Sequence, residues 1–257
     1  MRFDFDLHIH TYHSPCGSEE MTPADIVRVA ASRGMRRIAI TDHLYTFTDH
    51  RIFDSIRAEV AKIESDGLPE VYYGCEVEVM APGKVAGDAS LTEELDFIMA
   101  GTTHFQNVGI TELPPVNDER IIGLYYLQMF EYAVSLPWIN VIAHPFYVVP
   151  KVCSVRVLDY IPMDRLVRAL ETARANSIAM EISRRALGQI DFSMSFYRLC
   201  KDMGLKFTVG SDAHSLSMVG NLEDVEPIIS RLGLCEEDFW LPRSKAREGN
   251  LARRATS

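Results

Sequence analysis

Short β-branched or apolar runs alternate with amphipathic stretches along almost the whole chain, and this alternation restricts the fold more than any other feature. Strand-like runs occupy residues 3–8, 37–41, 71–77, 97–101, 140–143, 177–182 and 206–210. Between them lie segments with helical period. Thr22-Pro23-Ala24-Asp25 offers an N-cap, a proline at the first helical position and an acid in the first turn, and Gly34 offers a stop. Residues 54–64, 118–134, 163–175, 194–203 and 221–232 share the period. Strands joined by helices of this length imply right-handed crossovers and a parallel sheet, either closed into a barrel or open and doubly wound. The stretch between Val77 and Phe97 is short and glycine-rich, so one crossover is expected to be irregular.

No linker or repeat divides the body, which predicts a single α/β domain over residues 1–240. Residues 241–257 carry five basic side chains against one acid with little apolar period, the pattern of a disordered basic tail. Five scattered cysteines show no paired spacing, and there is neither an apolar leader nor a membrane-length apolar run; the expected compartment is the cytoplasm. A net charge of −10 disfavours a large nucleic-acid footprint but not a small anionic substrate, because bound cations would dominate a local field.

The histidines carry the functional signal. Six of the eight sit at or just past the C-terminal end of a strand-like run: His8 and His10, His43, His104, His144 and His214. Glu76 lies on the third run and Asp212 two residues before His214. In parallel α/β barrels these ends converge on one mouth. His8 and His10 point the same way from an extended backbone, as do Asp212 and His214. One histidine at a strand end is ordinarily a loop or hydrogen-bonded core residue; six on the same end of successive strands are not explained that way. Zinc takes about four ligands, so eight candidates suggest at least two ions and as many as three. Nitrogen and oxygen donors without a cysteine cluster favour Zn, Mn or Fe(II).

Asp6-Leu7-His8-Ile9-His10-Thr11, Thr41-Asp42-His43, Gly74-Cys75-Glu76, His104, Ala143-His144-Pro145 and Gly210-Ser211-Asp212-Ala213-His214 arrive in an order that resembles the PHP (polymerase and histidinol phosphatase) superfamily over about residues 1–235. The resemblance implies a distorted (β/α)7 TIM-like barrel with a trinuclear metal centre at its mouth. Carried over, His8, His10, Glu76 and Asp212 would hold one ion, His43 and His214 would contribute to a second, and bridging Glu76 with His104 and His144 to a third. Where many members place a further histidine or aspartate, the alignment falls on Cys16, with His13 three residues before it. The second ion would be completed by Cys16 or His13, or bind less tightly.

These features predict a metal-dependent phosphoesterase acting on small phosphate monoesters. A hydroxide bridging ions roughly 3.5–4 Å apart, held by Glu76, Asp212, His8 and His10, would attack phosphorus. Asp6 and Asp42, each near a ligand histidine, are candidates for orienting imidazoles. Arg184 or Arg185, in a segment resembling the family's Glu-Ile-Asn, would bind phosphate oxygens, with Lys151 and Arg156 as weaker candidates. His50 and Arg51 are expected in an exposed loop, and the aromatics of residues 124–130 in the core. Alternatives are a phosphodiesterase or nuclease of the same superfamily and a non-catalytic metal-stabilised scaffold. An amidohydrolase-like barrel ranks lower, because no metal-bridging lysine stands at a strand end. Oligomeric state is not legible.

Overall fold

A computed structural model describes residues 3–64, 66–114 and 116–243. Strand β1 (Phe5–Ile9) leads to α1 (Pro23–Ser32), then β2 (Arg37–Ile40), the two-residue β3 (His43–Leu44) and α2 (Arg51–Val60). β4 (Glu70–Ala81) turns into β5 (Lys84–Val85), followed by a single turn, α3 (Leu91–Glu94), and β6 (Phe97–Gly101). α4 (Glu119–Val134), β7 (Val141–Ala143), α5 (Met163–Ala175), β8 (Ala179–Ile182), α6 (Ile190–Asp202), β9 (Phe207–Val209) and α7 (Glu226–Leu232) complete the order.

β1, β2, β4, β6, β7, β8 and β9 pair in that sequence, every neighbour parallel. The expected choice between open sheet and barrel is settled at the seam. Ala213 N donates to His8 O (3.3 Å), and His10 N donates to Ala213 O (3.0 Å), so the segment after β9 pairs back onto β1. The result is a nearly closed seven-stranded barrel ringed by helices in one domain.

Local chemistry explains the elements. Thr22 caps α1 by accepting from Asp25 N at 3.1 Å, and Gly34, with φ +74°, ends it. The outward side chains of β4 (Cys75, Val77, Val79) join the main apolar core with Tyr126, Phe130 and Phe146, while Glu76 and Glu78 occupy the alternate, lumen-facing positions. Of the residue 124–130 aromatics, Tyr126 and Phe130 are core, as read from their period, and Tyr125 packs half-buried against it. A smaller cluster of Ile9, Ile26, Val27 and Ile38 packs α1 against the sheet.

Several boundaries differ from expectation. The irregular crossover is a hairpin, since β4 runs on to Ala81 and reverses at Gly83 (φ +89°) into β5. His43, expected just past the second strand, lies in β3, where it registers directly beside Glu76. α2 begins three residues before its expected start, α6 four before, and α7 five after, because the punctuation there is weak. Within the expected tail, Leu241 packs against the core and Pro242 is buried. Residues 244–257 lie outside the described residues. Among the described residues, no helix is long and apolar enough to cross a membrane.

Candidate metal centre

Seven parallel strands deliver the predicted residues to one rim. β1 brings His8 and His10, and the loop after β9 brings Asp212. His8 Nε2 lies 3.4 Å from Glu76 Oε2 and 3.7 Å from Asp212 Oδ1; His10 Nε2 lies 3.5 Å from each. The Nε2 atoms of His8 and His10 are 3.0 Å apart. Across the Glu76 carboxylate, Oε1 lies 3.1 Å from His144 Nε2 and 3.6 Å from His104 Nε2, and those two nitrogens are 3.2 Å apart. His43 Nδ1 approaches Oε2 at 3.1 Å. Glu76 is thus shared between two sets of imidazoles.

The outer ring nitrogens fix which way each imidazole faces. His8 Nδ1–H donates to Glu181 Oε1 (2.8 Å), His104 Nδ1–H to Glu78 Oε2 (2.8 Å), His10 Nδ1–H to Ser14 Oγ (3.2 Å) and His214 Nδ1–H to the Asp212 carbonyl (2.8 Å). With Nδ1 committed as a donor, each Nε2 lone pair is left toward the centre, the arrangement in which metal-bound histidines are held. Glu181 also accepts from His144 N (2.6 Å), and Glu78 from Thr111 Oγ1 (2.8 Å).

Glu78 and Glu181 were not singled out from sequence as site residues. Glu78 had a signal, since it follows Glu76 by two and faces the same side. Asp42 reaches an imidazole only through Ser14, whose hydroxyl donates to it at 2.6 Å. Among the described residues Asp6 meets no imidazole; of His8 it accepts only the backbone N–H, at 3.4 Å. It accepts from Ser211 N (2.9 Å), Ser211 Oγ (2.6 Å) and Gly220 N (2.8 Å), fastening the loop that carries Asp212 across the seam.

Two glycines make room. A Cβ on Gly101 would stand 2.6 Å from His104 Cε1 and 2.8 Å from Glu76 Oε1; one on Gly210 would collide with His8 Cβ and Glu181 Oε1. His144 (φ +27°) and Asp212 (φ +52°) hold left-handed backbone, a strained state for such residues that is found disproportionately at functional sites.

Burial alone would raise the Glu76 pKa, yet His104, His43 and His8 hold its carboxyl well below the usual range; Asp212 is likewise held down, by His10, His8 and Arg185 against burial. Burial drives His43 well below the ordinary imidazole value and takes His214 to about 4, whereas Glu78 and Glu76 overcome burial and lift His104 to about 9. Both Glu76 oxygens and Nδ1 of His43 are buried without a hydrogen bond. A buried carboxylate with that surrounding calls for cations. The donor set therefore fits divalent metal ions. Groups whose donor atoms lie within 4.8 Å of one another include His8, His10 and Glu76; His43, Glu76 and His104; and His10, Cys16, His43 and His214.

Of the two alternatives near the first motif, Cys16 joins the cluster, with its sulfur 3.1 Å from His214 Nε2. His13 does not; its ring packs on Tyr12 at 4.3 Å.

The centre floors a cavity of about 880 Å³ whose lining includes Tyr45, Tyr147, Lys151, Arg184 and Arg185. The two arginines differ. Arg185 Nε donates to Asp212 Oδ2 (2.7 Å) and its guanidinium sits 5.1 Å from the Tyr147 ring centre. Arg184 is exposed at the rim. Arg156 points away, 3.7 Å from Glu119, while Arg51 pairs with Asp49 and His50 lies against Phe53.

The PHP domain family model matches residues 6–185, and the PHP-associated model matches residues 196–222. Among similar proteins, a probable phosphatase of Syntrophotalea carbinolica is 26% identical over 255 residues, covering 93% of this chain and 92% of that protein. A probable phosphatase of Acetivibrio thermocellus is 24% identical, covering 92% and 90%. Among solved structures, the histidinol phosphate phosphatase of Lactococcus lactis, complexed with zinc, L-histidinol and phosphate, superposes with a TM-score of 0.64 at 16% identity, covering 90% of this chain and 94% of that one. A histidinol phosphatase described as putative, from Listeria monocytogenes, gives 0.57 at 14%, covering 84% and 97%.

Proposed function

The chain belongs to the PHP domain family, and from that premise we propose that it is a metal-dependent phosphoesterase hydrolysing small phosphate monoesters. The observation that carries this reading is the Glu76 carboxylate, buried, without a hydrogen bond, and set between His8, His10 and His43 on one oxygen and His104 and His144 on the other. The names of the similar bacterial proteins, and the zinc, histidinol and phosphate in the Lactococcus lactis structure, support the same reading.

His8, His10, Glu76 and Asp212 would hold one ion; Glu76, His104 and His144 another; and His43 and His214, with Cys16 rather than His13, a third. When bound, such ions acidify a water and neutralise charge developing on the phosphoryl oxygens. The remaining work falls to side chains. Glu181 and Glu78 keep His8 and His104 in the tautomer that offers Nε2. Arg185, committed to Asp212, keeps that carboxylate aimed at His8 and His10. Arg184 and Lys151, cations on the cavity wall, are placed to take a phosphate oxygen. The cytoplasm remains the expected compartment.

A phosphodiesterase reading has one observation of its own. Tyr45 lines the cavity and stacks on Phe47 (5.3 Å), which is 68% exposed, a surface on which a base can stack. Phosphate release from p-nitrophenyl phosphate, with and without zinc or manganese, tests the main reading; bis-p-nitrophenyl phosphate and a labelled oligonucleotide test the second. Turnover of the diester alone would overturn the monoesterase assignment, and no metal-dependent turnover of any ester would favour the scaffold.

A further inference from the structure

Resting on the reading of this site as a metal centre, we propose that Cys16 supplies a thiolate ligand, with His43 and His214, to the outermost cation position, making it selective for a zinc-like ion and releasable by peroxide. The donor atoms of His10, Cys16, His43 and His214 lie within 4.8 Å of one another, and this group contains no carboxylate, unlike the two groups built on Glu76. His214 has its Nδ1 tied to the Asp212 carbonyl and its Nε2 facing the Cys16 sulfur at 3.1 Å. His43 is 7% exposed, and its Nδ1 makes no hydrogen bond.

The sulfur is held in place by its neighbours. Gly17 N donates to Ser14 O (2.9 Å), closing the turn around Cys16, and Ser18 N donates to His214 O (3.0 Å), tying that turn to the segment that carries His214. Cys16 lines the cavity and is exposed, so a small solute reaches it, whereas Cys75 and Cys200 are buried.

One sulfur among imidazoles changes the metal preference. Thiolate and imidazole suit zinc, while manganese and magnesium favour oxygen donors. The same sulfur adds a chemical liability. A thiolate attacks hydrogen peroxide so that an S–O bond forms and the O–O bond breaks; hydroxide leaves and takes a proton from solvent. Sulfur loses two electrons, the peroxide gains them, and the product is a sulfenic acid, which a thiol reductant returns to the thiol. Sulfenic acid is a poor donor, so the position is left with imidazoles alone and its ion is released.

The test uses full-length protein stripped of metal and titrated with cobalt(II), followed by near-ultraviolet absorption. The expected result is a sulfur-to-cobalt charge-transfer band that is absent in Cys16→His, which keeps a nitrogen donor, and unchanged in His13→Ala. Zinc-loaded protein treated with peroxide should release one equivalent of zinc to a chromogenic chelator, retained in Cys16→His and taken up again after reduction. Cobalt binding without the band, or a band that survives Cys16→His, overturns the assignment of Cys16 while leaving the phosphoesterase reading intact. Failure of the wild-type chain to bind cobalt at all overturns both.

Discussion

Glu181 Oε1 accepts a hydrogen bond from His8 Nδ1 at 2.8 Å inside the barrel, while its other oxygen holds the backbone N–H of His144. One carboxylate thus holds the proposed ligand His8 on the first strand and the turn that carries the proposed ligand His144. Neither contact involves a cation, yet both decide where the cations would sit.

Replacing that charge should therefore weaken the centre without unfolding it. Glu181→Gln retains the shape but removes the carboxylate that fixes His8 in one tautomer. Partners of this kind are commonly worth about 10–100-fold in metal affinity or activity. Zinc affinity measured against a chromogenic chelator should fall by that order while the circular dichroism spectrum is unchanged. An unaltered affinity would remove Glu181 from the positioning role.

Glu76→Gln should do more, because a single carboxylate serves two sets of ligands. The electrostatic contribution of such ions is several kcal/mol, on the order of 10³-fold in rate. Elemental analysis should show less than wild-type metal content, and kcat should drop by about that factor. Full metal occupancy with full turnover would show that Glu76 does not bridge.

Gly210→Ala forces a methyl group into collision with His8 Cβ and Glu181 Oε1. Overpacking of this kind costs about 1–3 kcal/mol, which for a domain of this size lowers Tm by roughly 2–12 °C. Thermal unfolding followed by circular dichroism measures it, and an unchanged Tm would mean that the seam relaxes freely.

Chelation should destabilise the fold as well as silence it. A ligand at 100 times its Kd stabilises the native state by about 2.7 kcal/mol, so dialysis against a chelator should lower Tm by about 5–10 °C and zinc should restore it. A Tm indifferent to chelator would argue that the centre is not loaded in the purified protein.

The two arginines should separate kinetically. Arg184→Ala is expected to raise KM for a phosphomonoester several-fold with kcat near wild type, since Arg184 lines the cavity and makes no ion pair among the described residues. Arg185→Ala frees Asp212 and should lower kcat and metal content together. The reverse pattern would exchange their roles.

Much of the site was legible because β-structure has a period of two and parallel strands share an end. His8, His10, His43, Glu76, His104, His144, Asp212 and His214 could be placed on one rim by those two rules alone. What stayed hidden depends on contacts between distant segments. Glu181 reads as an unremarkable strand acid until β8 is set near β1, and Asp6 reads as a partner of its neighbouring histidine until Ser211 arrives from the other end of the chain. That Cys16 rather than His13 comes within reach of His214 depends on the path of one tight turn, which no residue pattern encodes. Helix starts were missed where no capping side chain marks them, as at α2 and α6.

The seam has a consequence for how the protein is born. Asp6 meets Ser211 only after 205 further residues have been joined to the chain, and Asp212 follows immediately. A ribosome-bound polypeptide thus carries His8 and His10 with no acid from the far end of the chain to complete their pocket until Asp212 has been added. On the proposed reading the pocket around His8 and His10 would be complete only when the segment after β9 zips against β1, and a product cut short before Ser211 would lack both Asp212 and His214.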